Sequence, residues 1–124
     1  NTPISLGELV DKISILIIKQ KNITDETKLD HVKKELDFLQ KTLMNYVQQE
    51  KINNYLENLI NINSKLWNIE DDIRECERNK LFDQKFIDLA RSVYFTNDER
   101  AKVKIDINKK FGSELVEVKS YEEY

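Results

Sequence analysis

Residues 29–46 read LDHVKKELDFLQKTLMNY, and residues 52–76 read INNYLENLININSKLWNIEDDIREC. In the first stretch Leu29, Val32, Leu36, Leu39, Leu43 and Tyr46 recur at alternating spacings of three and four. The second repeats the pattern with Ile52, Tyr55, Leu59, Ile62, Leu66, Ile69, Ile73 and Cys76. Such spacing keeps apolar side chains on one side of a helix, so each stretch predicts a helix with a heptad-type seam. The polar QQEK at residues 48–51 separates them. Two seams so joined predict an antiparallel hairpin that reverses near residues 48–54. No Gly or Pro marks that reversal. One continuous helix, about 75 Å long at about 1.5 Å per residue, is the alternative, and it would need a partner to cover its seam.

Upstream, SLGE at residues 5–8 places Glu8 three positions after Ser5, a capping box that starts a first helix, with Pro3 outside it. Its body ELVDKISILIIKQ carries Leu9, Val10, Ile13, Leu16 and Ile17, widened by Ile15 and Ile18. A helix apolar over so much of its circumference is expected at the centre. NITDET at residues 22–27 is turn-like, with Thr24 or Asp25 as the next cap. NKLFDQK at residues 79–85 breaks the third helix. Asp83 then caps a fourth, expected from Gln84 to Phe111 and stopped by Gly112. The tail, residues 113–124, alternates weakly and reads as a short strand or extended arm. The expected fold is one all-α domain over residues 1–124: four helices, helices 2 and 3 forming a central antiparallel coiled-coil-like hairpin, and a short extended C-terminal tail.

Composition narrows the function. The chain has 124 residues, 35% of them charged, and a formal net charge of −3. That balance argues against a nucleic-acid binder, which carries a basic surplus. The one cysteine, Cys76, and one histidine, His31, allow neither an intrachain disulfide nor a Cys/His zinc cluster. Cys76 falls in a seam and His31 on a charged surface turn, and both read as ordinary. The longest apolar run, ISILII at residues 13–18, contains Ser14 and is too short to span a bilayer. No signal peptide is visible, the sequon at Asn22 is discounted, and the expected location is the cytoplasm, away from membranes. Abundant asparagines, isoleucines and lysines fit an AT-rich genome and are not read as functional. Catalytic triads, phosphate loops, dinucleotide turns and HExxH are all missing from the sequence. No metal or cofactor is expected.

One pattern fails. The core positions of the fourth helix begin Phe86, Ala90, Val93, and the same spacing continues through Asn97, Arg100 and Lys104 before Ile107 and Phe111. Three successive core-type positions are polar. Buried charge needs a partner, and the third helix offers Trp67, Glu70, Asp71 and Arg74 as a stripe beside its seam. Glu8, Asp11 and Lys12 of the first helix are further members. The bland reading is an internal ion-pair network. The sharper one is a polar pocket between helices 1, 3 and 4. There Arg74, Arg100 and Lys104 would hold a small anion or phosphate ester, with Glu70 or Asp71 as acid/base or Mg²⁺ ligand.

SLGELVDKISIL, LWNIEDDIRECE and YFTNDERAKVKIDINKKFGSELVEVKSY together resemble a family of small all-helical bacterial proteins, about this length and of unknown function. The resemblance spans nearly the whole chain and implies a free-standing helical domain. It supplies no activity, cofactor or site residue. The polar or special positions inside those blocks include the residues just named and the Gly112–Ser113 turn. LGELVDKISILIIKQ is also loosely similar to the first helix of helical chorismate mutases, but Gly7 stands where that family has an arginine. Glu8 and Asp11 with Glu70, Asp71 or Glu75 could imitate the carboxylates of all-helical Mg-dependent nucleotide pyrophosphatases, without their paired ExxE signature. The expectation is a non-catalytic interaction or oligomerisation module, a homodimer or the binder of a protein partner. A C-terminal arm with Leu115, Val116, Val118 and Tyr121 would dock on a neighbour.

Overall fold

The structure, a computed structural model, describes residues 2–112 and 115–118. Strand β1 (Thr2–Ser5) leads into α1 (Leu6–Asn22), followed by α2 (Glu26–Met44), α3 (Gln49–Arg78), α4 (Gln84–Phe111) and strand β2 (Leu115–Val118). The chain is all-α in class, with four helices as expected. Side chains open three of them. Ser5 Oγ accepts from the Glu8 N–H at 3.2 Å, Asp25 Oδ1 from Lys28 at 3.0 Å, and Asp83 Oδ1 from Phe86 at 3.4 Å. Each satisfies one of the amides that a helix start leaves unpaired. Gly112 ends α4 at φ 96°, a backbone region that favours glycine.

The reversal between α2 and α3 falls at residues 45–48, earlier than the seam pattern suggests. The amides of Asn45, Tyr46 and Val47 turn back onto the carbonyls of Thr42 and Leu43. Tyr46 therefore lies past the helix end and is 46% exposed, not a seam residue. Otherwise the seams bury well: Val32, Leu36, Leu39 and Leu43 in α2, and Ile52, Leu59, Leu66, Ile69 and Cys76 in α3.

These seams close on α1. It packs against α2, α3 and α4, and α3 packs against α4. Leu9, Val10, Ile13 and Leu16 of α1 are fully buried in the main core cluster, which Ile107 of α4 joins. Burying such a side chain stabilises by about 1.5–3 kcal/mol. The wide apolar face read in the sequence thus marks the central helix. No helix among the described residues is long and apolar enough to cross a membrane.

Two features were not anticipated. β1 pairs antiparallel with β2, from Thr2 opposite Val118 to Ser5 opposite Leu115. Of the two readings of the tail, a short strand or an extended arm, the strand holds for Leu115–Val118, and its pairing with Thr2–Ser5 is the part that no sequence feature announced. Tyr121 and Ser113 lie outside the described residues. The second feature is Gly7. A Cβ built there would come within 2.5 Å of the Lys104 carbonyl oxygen, which is backbone and cannot swing away. Glycine at this position lets α1 and α4 meet backbone to backbone, and the Gly7 N–H donates to Asn108 Oδ1 at 2.8 Å. Gly7→Ala is expected to destabilise by about 1–3 kcal/mol, as overpacking does. Urea unfolding checks it, and an unchanged midpoint would show that the two helices separate without cost.

Candidate functional site

At the centre of the α1–α3–α4 junction sits Asp11, 2% exposed on the most apolar helix of the fold. Desolvating a carboxylate is costly unless hydrogen bonds replace its water. Here all three helices contribute. From α3, Asn63 Nδ2 donates to Asp11 Oδ1 at 2.9 Å and to Ser14 Oγ at 2.8 Å. The Ser14 hydroxyl in turn donates to the Asp11 backbone carbonyl at 2.6 Å. From α4, Arg100 grips the carboxylate with two donors, Nε to Oδ1 at 2.9 Å and Nη2 to Oδ2 at 2.5 Å. One turn on, Lys104 Nζ lies 2.6 Å from Glu8 Oε1 and 3.9 Å from Asp11 Oδ2. The hydrogen bonds that Arg100 donates to Asp11 raise the Arg100 pKa, against an opposing effect of burial. The charge on this arginine is fixed.

Of the polar residues singled out from sequence, Glu8, Asp11, Arg100 and Lys104 come together. Glu70 and Asp71 do not make the expected direct ion pair with Arg100 or Lys104 among the described residues. Glu70 lines the same cleft as Arg100 and adds to the field that holds its charge, while Arg74 reaches back to Asp71 at 3.1 Å and to Glu70 at 3.7 Å. The reason is α1: its buried Asp11 lies nearer to the α4 cations than any acid of α3. Arg74 therefore takes no part in the cluster. Asn97 is exposed and Thr96, beside it, is buried. Likewise Leu89 is half-buried while Ala90 is exposed. At these two places the inward position falls one residue earlier than the extrapolated spacing, because α4 presents its inner face to two helices, while Phe86, Val93, Arg100, Lys104, Ile107 and Phe111 hold. Lys12 is exposed on another flank of α1.

Ser14, Asn63 and Asn108 escaped the sequence reading. Ser14 did interrupt the apolar run, and that was its signal. The two asparagines were lost among many others. Only the burial of Asn63 and the half-burial of Asn108 separate them from surface residues.

Beside the cluster a cleft of about 290 Å³ opens between α1, α3 and α4. Ile15, Ile18, Leu66 and Trp67 form its apolar wall, and Lys19, Asn63, Glu70 and Arg100 its polar one. Trp67 is half-buried here. The Asp11 carboxylate itself accepts three side-chain hydrogen bonds. No group of three or more His, Cys, Asp or Glu residues converges closely enough to hold a metal ion among the described residues.

A second buried acid lies away from this site. Glu35 of α2 is 1% exposed, and its Oε2 has no hydrogen-bond partner among the described residues. His31 Nε2 stands 4.0 Å from that oxygen. His31 is thus more than the ordinary surface residue read from sequence. Burial pushes the Glu35 pKa up, while His31 on the same helix and Lys12 and Lys19 on α1 pull it down without cancelling the rise. The folded state then holds the extra proton between the ordinary value of 4.5 and the raised one, so this group's contribution to stability falls as pH rises through that window. Glu35→Gln removes the dependence. The melting temperature of the variant relative to the wild type is expected to climb as pH rises from about 4.5 and to level off above the folded pKa. Thermal melts over the acidic to neutral range test it, and a difference that stays flat or shrinks contradicts it.

The central cluster makes a sharper prediction. Removing one partner of a buried ion pair costs about 3–5 kcal/mol, whereas replacing both by apolar groups costs much less. Arg100 keeps a side-chain exposure of 28%, so Arg100→Met should fall at or below the low end of that range. The double variant Asp11→Leu/Arg100→Met should be more stable than Arg100→Met alone. Denaturant unfolding of the cycle measures both, and additive losses would mean that the pair is not coupled.

No curated protein and no solved structure matches the chain. A family model described as a family of unknown function, DUF6165, matches residues 1–124, and the chain belongs to that family.

Proposed function

We propose that the protein is a non-catalytic helical interaction module whose working surface is the outer side of α4. One observation carries this reading. Ile87, Tyr94, Phe95 and Ile105 project from α4 with 48%, 67%, 54% and 52% of their surface exposed, on the side away from Thr96, Arg100 and Ile107. A row of large apolar side chains in water, framed by charge, is what a protein-binding face looks like. Leu81 and Phe82, exposed in the turn before α4, extend it at one end.

The polar cluster favours the same reading over a small-molecule site. A pocket for an anion would need cations with free donors. Lys104 is engaged by Glu8 and one edge of Arg100 by Asp11. Arg74, the third candidate, is paired with Glu70 and Asp71 of its own helix. Four of the groups considered for a ligand, Glu8, Asp11, Arg100 and Lys104, pair with one another, which supports the interaction-module reading.

The paired variant Ile87→Ser/Tyr94→Ser tests the proposal. Both residues are exposed, so the fold is expected to keep its helical circular dichroism and its melting temperature. Association of the wild type, with its own copies or with another protein, should be lost in the variant under matched capture and gel-filtration conditions. A wild type that associates with nothing, or a variant that keeps every association, would sink the reading.

A further inference from the structure

Along the outer side of α4 the exposed residues Ile87, Arg91, Tyr94, Asp98, Ala101 and Ile105 follow one another at spacings of four, three, four, three and four. This is a second heptad-type seam, on the helix's own back. It runs for roughly 27 Å at about 1.5 Å per residue. Its order is palindromic in position. Each member has a counterpart equally far from residue 96 on the other side: Ile87 with Ile105, Arg91 with Ala101, Tyr94 with Asp98. When two such helices run antiparallel about a two-fold axis, counterparts of this kind fall in the same layer.

Resting on the reading of this surface as an interaction face, we infer that its partner is a second copy of the same chain, docked antiparallel through α4 with the two-fold axis near residue 96. The layers are complementary in shape and charge. Ile87 meets Ile105 of the other copy at each end, which covers two isoleucines that water now touches. Arg91 meets Ala101 of the other copy, a long side chain over a small one. From there its guanidinium reaches the neighbouring layer, where Asp98 of the other copy lies beside Tyr94. The axis generates this ion pair twice. Within one chain Arg91 and Asp98 stand two turns apart, about 10 Å, too far to pair. Arg91 instead lies over the Phe95 ring at 5.8 Å in the single chain. A parallel arrangement would stack Arg91 on Arg91 and Asp98 on Asp98. The charge order therefore selects antiparallel pairing, and like charges placed directly opposite would penalise the alternative.

Sedimentation velocity over a wide dilution series, with charge-swapped variants, tests the register. The wild type is expected to form a dimer. Arg91→Asp sets two like-charged pairs across the interface and should raise the dissociation constant about a hundredfold or more. Asp98→Arg should do the same. The double swap Arg91→Asp/Asp98→Arg restores opposite charges and should recover the dimer. Circular dichroism of each variant checks that these exposed changes leave the fold intact. A monomer at every concentration overturns the inference. So does a dimer indifferent to the single swaps, or one that the double swap fails to rescue. A monomeric wild type whose α4 face still captures a different protein would overturn the self-pairing alone and leave the interaction-module reading standing.

Discussion

Asp11 is a charge that the fold cannot leave unpaired. It sits on the helix with the widest apolar face, where water is excluded, and its carboxylate needs donors from elsewhere. Asn63 supplies one from α3, and Arg100 supplies two from α4. Apolar packing alone would tolerate a helix sliding by a turn, since isoleucines and leucines substitute for one another along a seam. The Asp11 contacts do not tolerate it. A shift of one turn, about 5.4 Å, would break every one of them. The carboxylate therefore sets the register of three helices at once, the best-attested use of a buried ion pair.

Gly7 acts on the same junction from one turn away. Because it has no side chain, the α1 backbone reaches the Lys104 carbonyl, and Asn108 caps the approach. Closeness here is what brings Glu8 to Lys104 and Asp11 to Arg100. An arginine at position 7, which a chorismate-mutase-like reading would ask for, has no room. The departure from that pattern is thus physical: the space of the expected arginine is occupied by the fourth helix.

How much of this was legible depended on the range of the interaction that decides each feature. Caps at Ser5, Asp25 and Asp83 and the stop at Gly112 are local, and they read directly from sequence. The seams of α2 and α3 also read well, since their periodicity repeats over many turns; Tyr46 failed because the turn came before it. Partner choice did not read. Arg100 and Lys104 were recognised as needing acids, but α3 and α1 both offer them, and only tertiary packing puts Asp11 nearer than Glu70. Ser14 and Asn63 look like any other small polar residues until both are buried. The strands β1 and β2 are four residues each, and their end pairs, Ser5–Leu115 and Thr2–Val118, are 110 and 116 positions apart in sequence, a pairing that no local pattern reports. The extrapolation to Asn97 failed for a related reason. A helix serving two neighbours has a broad inner face, and strict seam spacing drifts off its centre.

The inner and outer sides of α4 are mechanically one object. Thr96, Arg100 and Ile107 face inward, so Tyr94, Asp98 and Ile105 must face outward, and the angle between the two rows is fixed by helix geometry. A helix held by leucines alone could roll in its groove. Arg100, clamped on Asp11 by two donors, and the Gly7–Lys104 contact prevent such rolling. Rolling by one residue, about 100°, would carry Tyr94 toward the core and Asp98 off the outer row. The layered pairing proposed for two α4 helices needs Ile87, Arg91, Asp98 and Ile105 in one line on a rigid support. A buried polar network contributes little net stability compared with an apolar replacement. What it does contribute is a fixed azimuth, and an interaction surface made from one face of one helix depends on that more than on any further fraction of a kilocalorie.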